Sequence, residues 1–158
     1  MTDRNLAPAG LPRWTKALGY GGLVPFVACA LVMLVVTEPD VRHVAGRVLV
    51  GYGAVILAFL GGVHWGLVLY GRPGKASGLL AIGVVPSLLA WATLLLQFET
   101  AVAVQVATFG GFWLYEHRVL GAGVLPPEYL ALRRWLTLIV CASLGLALMA
   151  RTLVPAVH

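Results

Sequence analysis

The sequence predicts an all-α fold, a polytopic membrane protein built as a five-transmembrane-helix bundle. Of the 158 residues, 60% are hydrophobic and only 11% are charged, whereas roughly a quarter of the residues in a soluble domain carry a charge. Five apolar runs are also long enough, at about 1.5 Å per helical residue, to cross about 30 Å of hydrocarbon. We therefore expect the lipid bilayer to be the main partner of this chain.

Three apolar runs separated by short links predict the first three spans, which are residues 17–37, 48–70 and 77–97. Links this short, such as residues 38–47, favour antiparallel packing of neighbouring helices. Pro25 lies inside the first span and Pro86 inside the third. Each is predicted to kink its helix, because proline lacks a backbone donor and clashes with the preceding turn.

The last two spans are predicted at residues 100–120 and 135–154. The loop between them, residues 121–132, contains two adjacent prolines and is expected to form a stiff turn. All five spans together form one predicted membrane domain, residues 17–154, and residues 1–16 precede it as a flexible cytoplasmic arm.

The distribution of basic residues predicts the orientation of the helices. Eight of the eleven Lys and Arg side chains fall on the amino-terminal side of the predicted spans, and three fall on the other side, namely Arg42, Arg47 and Arg151. Basic residues accumulate on the cytoplasmic side of membrane proteins. The amino terminus is therefore predicted in the cytoplasm and the carboxyl terminus outside, in a bacterial cytoplasmic (inner) membrane. This asymmetry accounts for the net charge of +5, so no nucleic-acid partner is expected.

Small residues on one face of the second span predict close helix packing, because membrane helices approach one another through such residues. At 100° per residue, this face consists of Gly51, Ala54, Ala58, Gly61 and Gly62. The glycine pair Gly110 and Gly111 in the fourth span is predicted to supply the facing surface.

The second span also holds one ionisable side chain, His64, and such a residue inside a membrane is a functional hypothesis by default. Depth along the helices predicts a ligand or proton site in the inner leaflet, formed by His64, Trp65, Tyr115, Glu116, His117, Arg133 and Tyr20. Two alternatives stay open. In the first, His64 is structural and makes a single hydrogen bond between helices. In the second, Glu116 and His117 end the fourth helix at the membrane interface and form no site.

Four motifs occur in order along the chain: LGYGGLVPF from Leu18, GGVHWG from Gly61, GVVPSLLAW from Gly83 and YLALRRWLT from Tyr129. They resemble a bacterial membrane family of unknown function whose eukaryotic relatives include transmembrane protein sixty-nine. The resemblance implies a membrane fold and a membrane location, and it implies no activity.

Several chemistries lack their residues in this sequence. It has no His/Cys spacing typical of zinc sites, no glycine-rich phosphate loop, and no Ser or Cys nucleophile with an evident base. We therefore predict no metal or cofactor, and we expect a protein without enzymatic activity rather than an enzyme. One alternative stays open, a haem held by the imidazoles of His64 and His117.

Two functions remain. The first is an accessory, assembly or scaffold subunit of a larger inner-membrane complex. The alternative is a binder or carrier of a lipophilic small molecule (quinone, porphyrin or sterol-like) in an inner-leaflet pocket near His64.

Overall fold

The computed structural model describes residues 13–69, 76–120 and 127–153, and these ranges are helical apart from short turns. The helices are α1 (Arg13–Gly21), α2 (Val24–Val35), α3 (Pro39–Leu69), α4 (Ala76–Thr93), α5 (Phe98–Tyr115) and α6 (Pro127–Leu153). A π-helical turn, Glu116–Leu120, extends α5. The predicted all-α fold is confirmed. Three described segments are long and apolar enough to cross a membrane: Arg13–Val35, Pro39–Gly66 and Pro127–Leu153.

The first apolar run forms two helices, and Pro25 lies near the start of the second instead of kinking the interior of one helix. Helix α1 ends at Gly21, and Pro25 lies in the first turn of α2, where a missing N–H costs no hydrogen bond. The Leu23 N–H donates to the Tyr20 carbonyl (3.0 Å), and the Tyr52 hydroxyl of α3 donates to the Gly22 carbonyl (3.0 Å). A side chain from α3 thus satisfies a carbonyl that the break exposes.

Three helix boundaries differ from the bounds of the predicted spans and loops. Helix α3 begins at Pro39, so most of the predicted loop 38–47 is helical. Proline suits the first turn of a helix because its missing N–H has no partner there, and the Asp40 carboxylate is stabilised by the positive end of the helix dipole. Helix α6 likewise begins at a proline, Pro127, eight residues before the predicted span. Helix α4 ends early, at Thr93, in a set of tight turns.

Other predicted segments lie partly or wholly outside the described residues. These are residues 1–12 of the arm, the link 71–75, residues 121–126 of the inner loop, and the terminal residues 70 and 154 of two spans.

Helix α3 is the centre of the bundle. It packs most extensively on α4 and also contacts α2 and α5, while α6 packs on α2 and α5 and touches α1. In the core, the buried ring of Phe26 on α2 lies 5.1 Å from that of Tyr52 on α3 and 6.0 Å from that of Phe109 on α5. Pro86 lies within α4, as the sequence places it, about one turn after Gly83.

The close approach of α3 and α4 depends on glycines. A Cβ on Gly61 would collide with the Gly83 carbonyl, and a Cβ on Gly83 would lie 2.8 Å from the Gly61 carbonyl. Gly53, which the sequence analysis left out, is in equally close contact with the Gln105 side chain of α5.

The predicted packing face is only partly used. Ala54 and Gly61 are buried, Ala58 and Gly62 are exposed, and Gly51 has open space where a side chain would project. Gly110 and Gly111 also have open space there. Packing against α3 therefore does not explain this glycine pair, because helix rotation turns it away from α3.

Candidate functional site

Three ionisable side chains from different elements meet in the interior of the bundle. His64 of α3 and Glu116 of the π-helical turn are each 1% exposed, and Arg133 of α6 is 5% exposed. The Arg133 Nε–H donates to Glu116 Oε2 over 2.9 Å, and His64 Nε2 lies 3.9 Å from Glu116 Oε1. These three residues form what we term the polar cluster, in which Glu116 is the central member.

Local backbone structure sets the position of Glu116. The α-helical pattern of α5 gives way to a π-helical turn at this residue, whose N–H is shared between the carbonyls of Phe112 and Trp113. Such π-turns are rare and occur frequently at functional sites. Phe112, one turn earlier, places its ring 4.8 Å from the His64 imidazole. The same face of α5 thus supplies both the aromatic and the acidic neighbour of His64.

The hydrogen bond of His64 defines its neutral form. Nδ1 lies 3.3 Å from the Leu60 carbonyl oxygen, which only accepts, so Nδ1 carries the hydrogen. In a neutral ring Nε2 then holds a lone pair, and Nε2 is buried with no hydrogen-bond partner among the described residues. Nε2 lies 3.9 Å from Glu116 Oε1, so His64 is beside the ion pair without being hydrogen-bonded to it.

A cavity of about 460 Å³ lies beside this cluster, between α1, α2, α3 and α6. This volume falls within the roughly 300–1,000 Å³ typical of small-molecule sites. Its walls are mainly aliphatic and aromatic, and they include Phe26, Ile56, Leu60, Val63 and Phe109. The break between α1 and α2 borders it through Gly22 and Leu23.

Polar groups reach the cavity along one face of α6, at positions 129, 133 and 137, which are spaced one helical turn apart. We call Tyr129, Arg133 and Thr137 the polar strip. Arg133 Nη2 and Thr137 Oγ1 are buried and have no hydrogen-bond partner among the described residues. A buried polar atom without a partner costs about 1–3 kcal/mol, so this strip is costly unless a further group completes its hydrogen bonds.

The other predicted site residues lie outside the polar cluster, although Tyr115 is close to it. Trp65 is 45% exposed and packs on Gly83. Successive residues of a helix point about 100° apart, so Trp65 points away from the direction of His64. Tyr20 is 49% exposed on α1. Tyr115 is half-buried, with its ring 6.3 Å from that of His64. His117 is exposed and stacks on Trp113 at 5.6 Å.

The two imidazoles of the haem hypothesis therefore have different surroundings. His64 is buried against Phe112, whereas His117 lies at the surface against Trp113. In the described ranges, no three His, Cys, Asp or Glu side chains cluster in a way that could hold a metal ion.

Two polar features of the structure were not predicted from the sequence. Tyr129 lines the cavity together with Arg133, and its position one turn before Arg133 was the available signal. Gln105 of α5 is fully buried and donates to the Val50 carbonyl (2.7 Å) and to Thr93 Oγ1 (3.0 Å). An amide inside a membrane span was the signal for this second network.

Comparison with known proteins supplies a family. The sequence pattern of the family described as "Protein of unknown function (DUF3429)" matches residues 11–149. Transmembrane protein 69 of Xenopus tropicalis is 35% identical over 149 residues, which are 91% of this chain and 57% of that protein. Transmembrane protein 69 of Mus musculus is 34% identical over 147 residues, 91% of this chain and 59% of the relative.

The resemblance expected from the four motifs is thus confirmed, and the chain, with its long apolar helices, is a membrane protein. It spans less than two thirds of the length of these two relatives. No solved structure matches it.

Proposed function

We propose that this chain, which belongs to the DUF3429 family of proteins of unknown function, binds a lipid-soluble small molecule in the cavity between α1, α2, α3 and α6. The observation that carries the proposal is the pair of unpartnered buried atoms, Arg133 Nη2 and Thr137 Oγ1, on a mainly apolar wall. Apolar walls with a few convergent polar groups are the usual composition of a small-molecule site.

The proposed membrane topology has five spans, formed by α1 with α2, α3, α4, α5 and α6, with the amino terminus in the cytoplasm of a bacterial cell and the carboxyl terminus outside. Two contacts support it. Arg42, at the start of α3, donates to the Ala150 carbonyl near the end of α6 (2.7 Å), and Glu99, at the start of α5, pairs with Arg151. One end of the bundle thus holds the starts of two helices and the end of a third, as alternating spans require.

Reporter fusions to the two termini test this topology. Five spans require a reporter that is active only in the cytoplasm to work at the amino terminus and to fail at the carboxyl terminus. Equal activity at both ends would contradict an odd number of spans.

Ligand binding is tested on protein in lipid nanodiscs of neutral phosphatidylcholine. The discs are titrated with a decyl-substituted benzoquinone, cholesterol or protoporphyrin IX, and the ligand retained in excess of empty discs is quantified by mass spectrometry. We expect saturable retention of at least one of these probes. Retention equal to empty discs for all three would contradict the proposal.

A pair of variants locates the binding. Thr137→Val removes the unpartnered hydroxyl and keeps the shape of the side chain, so it should weaken retention roughly two- to tenfold, the worth of one neutral hydrogen bond. It should also raise the melting temperature of the ligand-free protein. Thr108→Val is the control, because Thr108 Oγ1 already donates to the Val104 carbonyl (2.7 Å) and does not line this cavity. Equal effects of both variants on retention would place the ligand elsewhere.

A second candidate is the accessory or scaffold role in a larger inner-membrane complex. The observation that favours it is a groove between α4 and α5, lined by Pro86, Ala107 and Gly111, where the glycine has open space above it. Small residues on such a face are typical of contacts between membrane helices. Gly111→Leu should then abolish co-purification of a stoichiometric partner from native membranes, and a wild-type protein that purifies alone would contradict this role.

A further inference from the structure

We infer that the ligand of this cavity is a neutral molecule whose polar group is a hydrogen-bond-accepting oxygen, such as a ketone, quinone or ester carbonyl, rather than a carboxylate or phosphate anion. The inference rests on the proposed function and specifies the chemical class that the site selects. It follows from the hydrogen-bonding capacity of the polar strip and from the charge balance of the polar cluster.

The unpartnered atoms of the strip require an acceptor. A guanidinium nitrogen donates and never accepts, so Arg133 Nη2 can be completed only by an acceptor. The Thr137 hydroxyl lies one turn further along the same face and also offers a proton. A carbonyl oxygen with two lone pairs matches both donors, whereas a ligand with an ammonium group would leave Arg133 Nη2 unpaired and add a repulsive charge.

The charge balance excludes an anion. Arg133 is the one charged side chain among the residues described as lining the cavity, and Glu116 already neutralises it at 2.9 Å. His64 lies 3.9 Å from Glu116, and Tyr129 lines the cavity one turn before Arg133. Neither a neutral imidazole nor a phenol adds charge. An anionic ligand would therefore introduce a buried net negative charge beside Glu116, and an uncompensated charge at such depth is strongly unfavourable.

The three lipophile classes expected from the sequence differ in their hydrogen-bonding groups and in their charge, and they can be ranked by these two properties. A quinone presents carbonyl acceptors without charge and suits the strip. A sterol is also neutral and its hydroxyl oxygen can accept, but its O–H is a further donor that needs an acceptor of its own. A porphyrin brings carboxylates, which the balanced Arg133–Glu116 pair does not compensate.

The test uses probes that share an apolar part and differ in the head group. Protein in phosphatidylcholine nanodiscs is titrated with 2-dodecanone, dodecane and dodecanesulfonate, and with a ring-bearing pair, a decyl-substituted benzoquinone and its sulfonate. Retention in excess of empty discs is measured by mass spectrometry. The sulfonate is ionised throughout the accessible pH range, so its own titration does not confuse the comparison.

We expect the carbonyl probe of each set to bind at least about tenfold more tightly than its sulfonate, because the sulfonate brings an uncompensated buried charge. We also expect 2-dodecanone to bind about tenfold more tightly than dodecane, because a hydrogen bond to a charged donor contributes about that factor or more. Thr137→Val should remove part of the advantage of the ketone over dodecane and leave dodecane unchanged. Thr108→Val should alter none of these values.

The possible failures are distinguishable. A sulfonate that binds as tightly as the carbonyl probe, or a ketone that binds no better than dodecane, would overturn the inference and leave the cavity as a lipophile site. Absence of retention of every probe would overturn the proposed function itself.

Discussion

The Arg133–Glu116 ion pair offers the sharpest test of how the interior of this bundle is stabilised. Both side chains are at least nine-tenths buried, and the Nε–Oε2 distance is 2.9 Å, so solvent does not screen either charge. Replacing one partner of such a pair leaves an uncompensated buried charge and costs about 3–5 kcal/mol, whereas replacing both partners by apolar side chains is often close to neutral. Glu116→Met and Arg133→Met should thus each destabilise the fold strongly, and the double variant should be more stable than either.

The assay is equilibrium unfolding in mixed micelles, followed by tryptophan fluorescence, for the wild type, the two single variants and the double variant. The coupling energy should be of the order of 3 kcal/mol or more. The Glu99–Arg151 pair is the matched control, since its side chains are 48% and 47% exposed, and exposed pairs contribute about 0–1 kcal/mol. Additive single effects at Glu116 and Arg133, or a coupling no larger than that of the control pair, would refute the reasoning.

Two further predictions concern helix packing. Gly61→Ala should destabilise the protein by about 1–3 kcal/mol in the same unfolding assay, because the new methyl group would meet the Gly83 backbone. The control is Gly62→Ala, which has open space around it and should be neutral or stabilise the protein by up to about 1 kcal/mol. Equal effects of the two variants would contradict the close approach of α3 and α4. Tyr52→Phe removes the hydroxyl that donates to the Gly22 carbonyl. It should therefore lower the free energy of unfolding by about 1 kcal/mol and speed hydrogen exchange of the amides at residues 22–24. Unchanged exchange rates would show that this hydrogen bond does not stabilise the break between α1 and α2.

The helical fold and the depth of the polar cluster could be predicted from the sequence, because both depend on distance along a helix. Counting residues from the ends of the apolar runs brings His64, Glu116 and Arg133 to one level, and the structure brings these three side chains into one cluster. Depth does not determine which way a side chain points. Trp65 is on the same level, yet it faces the outside of the bundle.

Features that depend on helix rotation and on contacts distant in sequence could not be predicted. Gly61 is in close contact and Gly62 is open, and the 100° between them is decided by how α4 packs on α3. The beginning of α6 at Pro127 adds two turns that place Tyr129 beside Arg133. Hydropathy does not reveal such an extension, since it lies outside the apolar run.

The most direct test of the central claim, that the cavity beside the polar cluster holds a lipophile, is to fill the cavity. Val63 lines it, and Val55, on the same helix, is 63% exposed and does not. Retention of the decyl-substituted benzoquinone in nanodiscs is measured for Val63→Trp and Val55→Trp, after both variants have been shown to melt at the wild-type temperature. We predict that Val63→Trp abolishes the retention in excess of empty discs and that Val55→Trp leaves it unchanged. Undiminished retention by Val63→Trp would contradict the account.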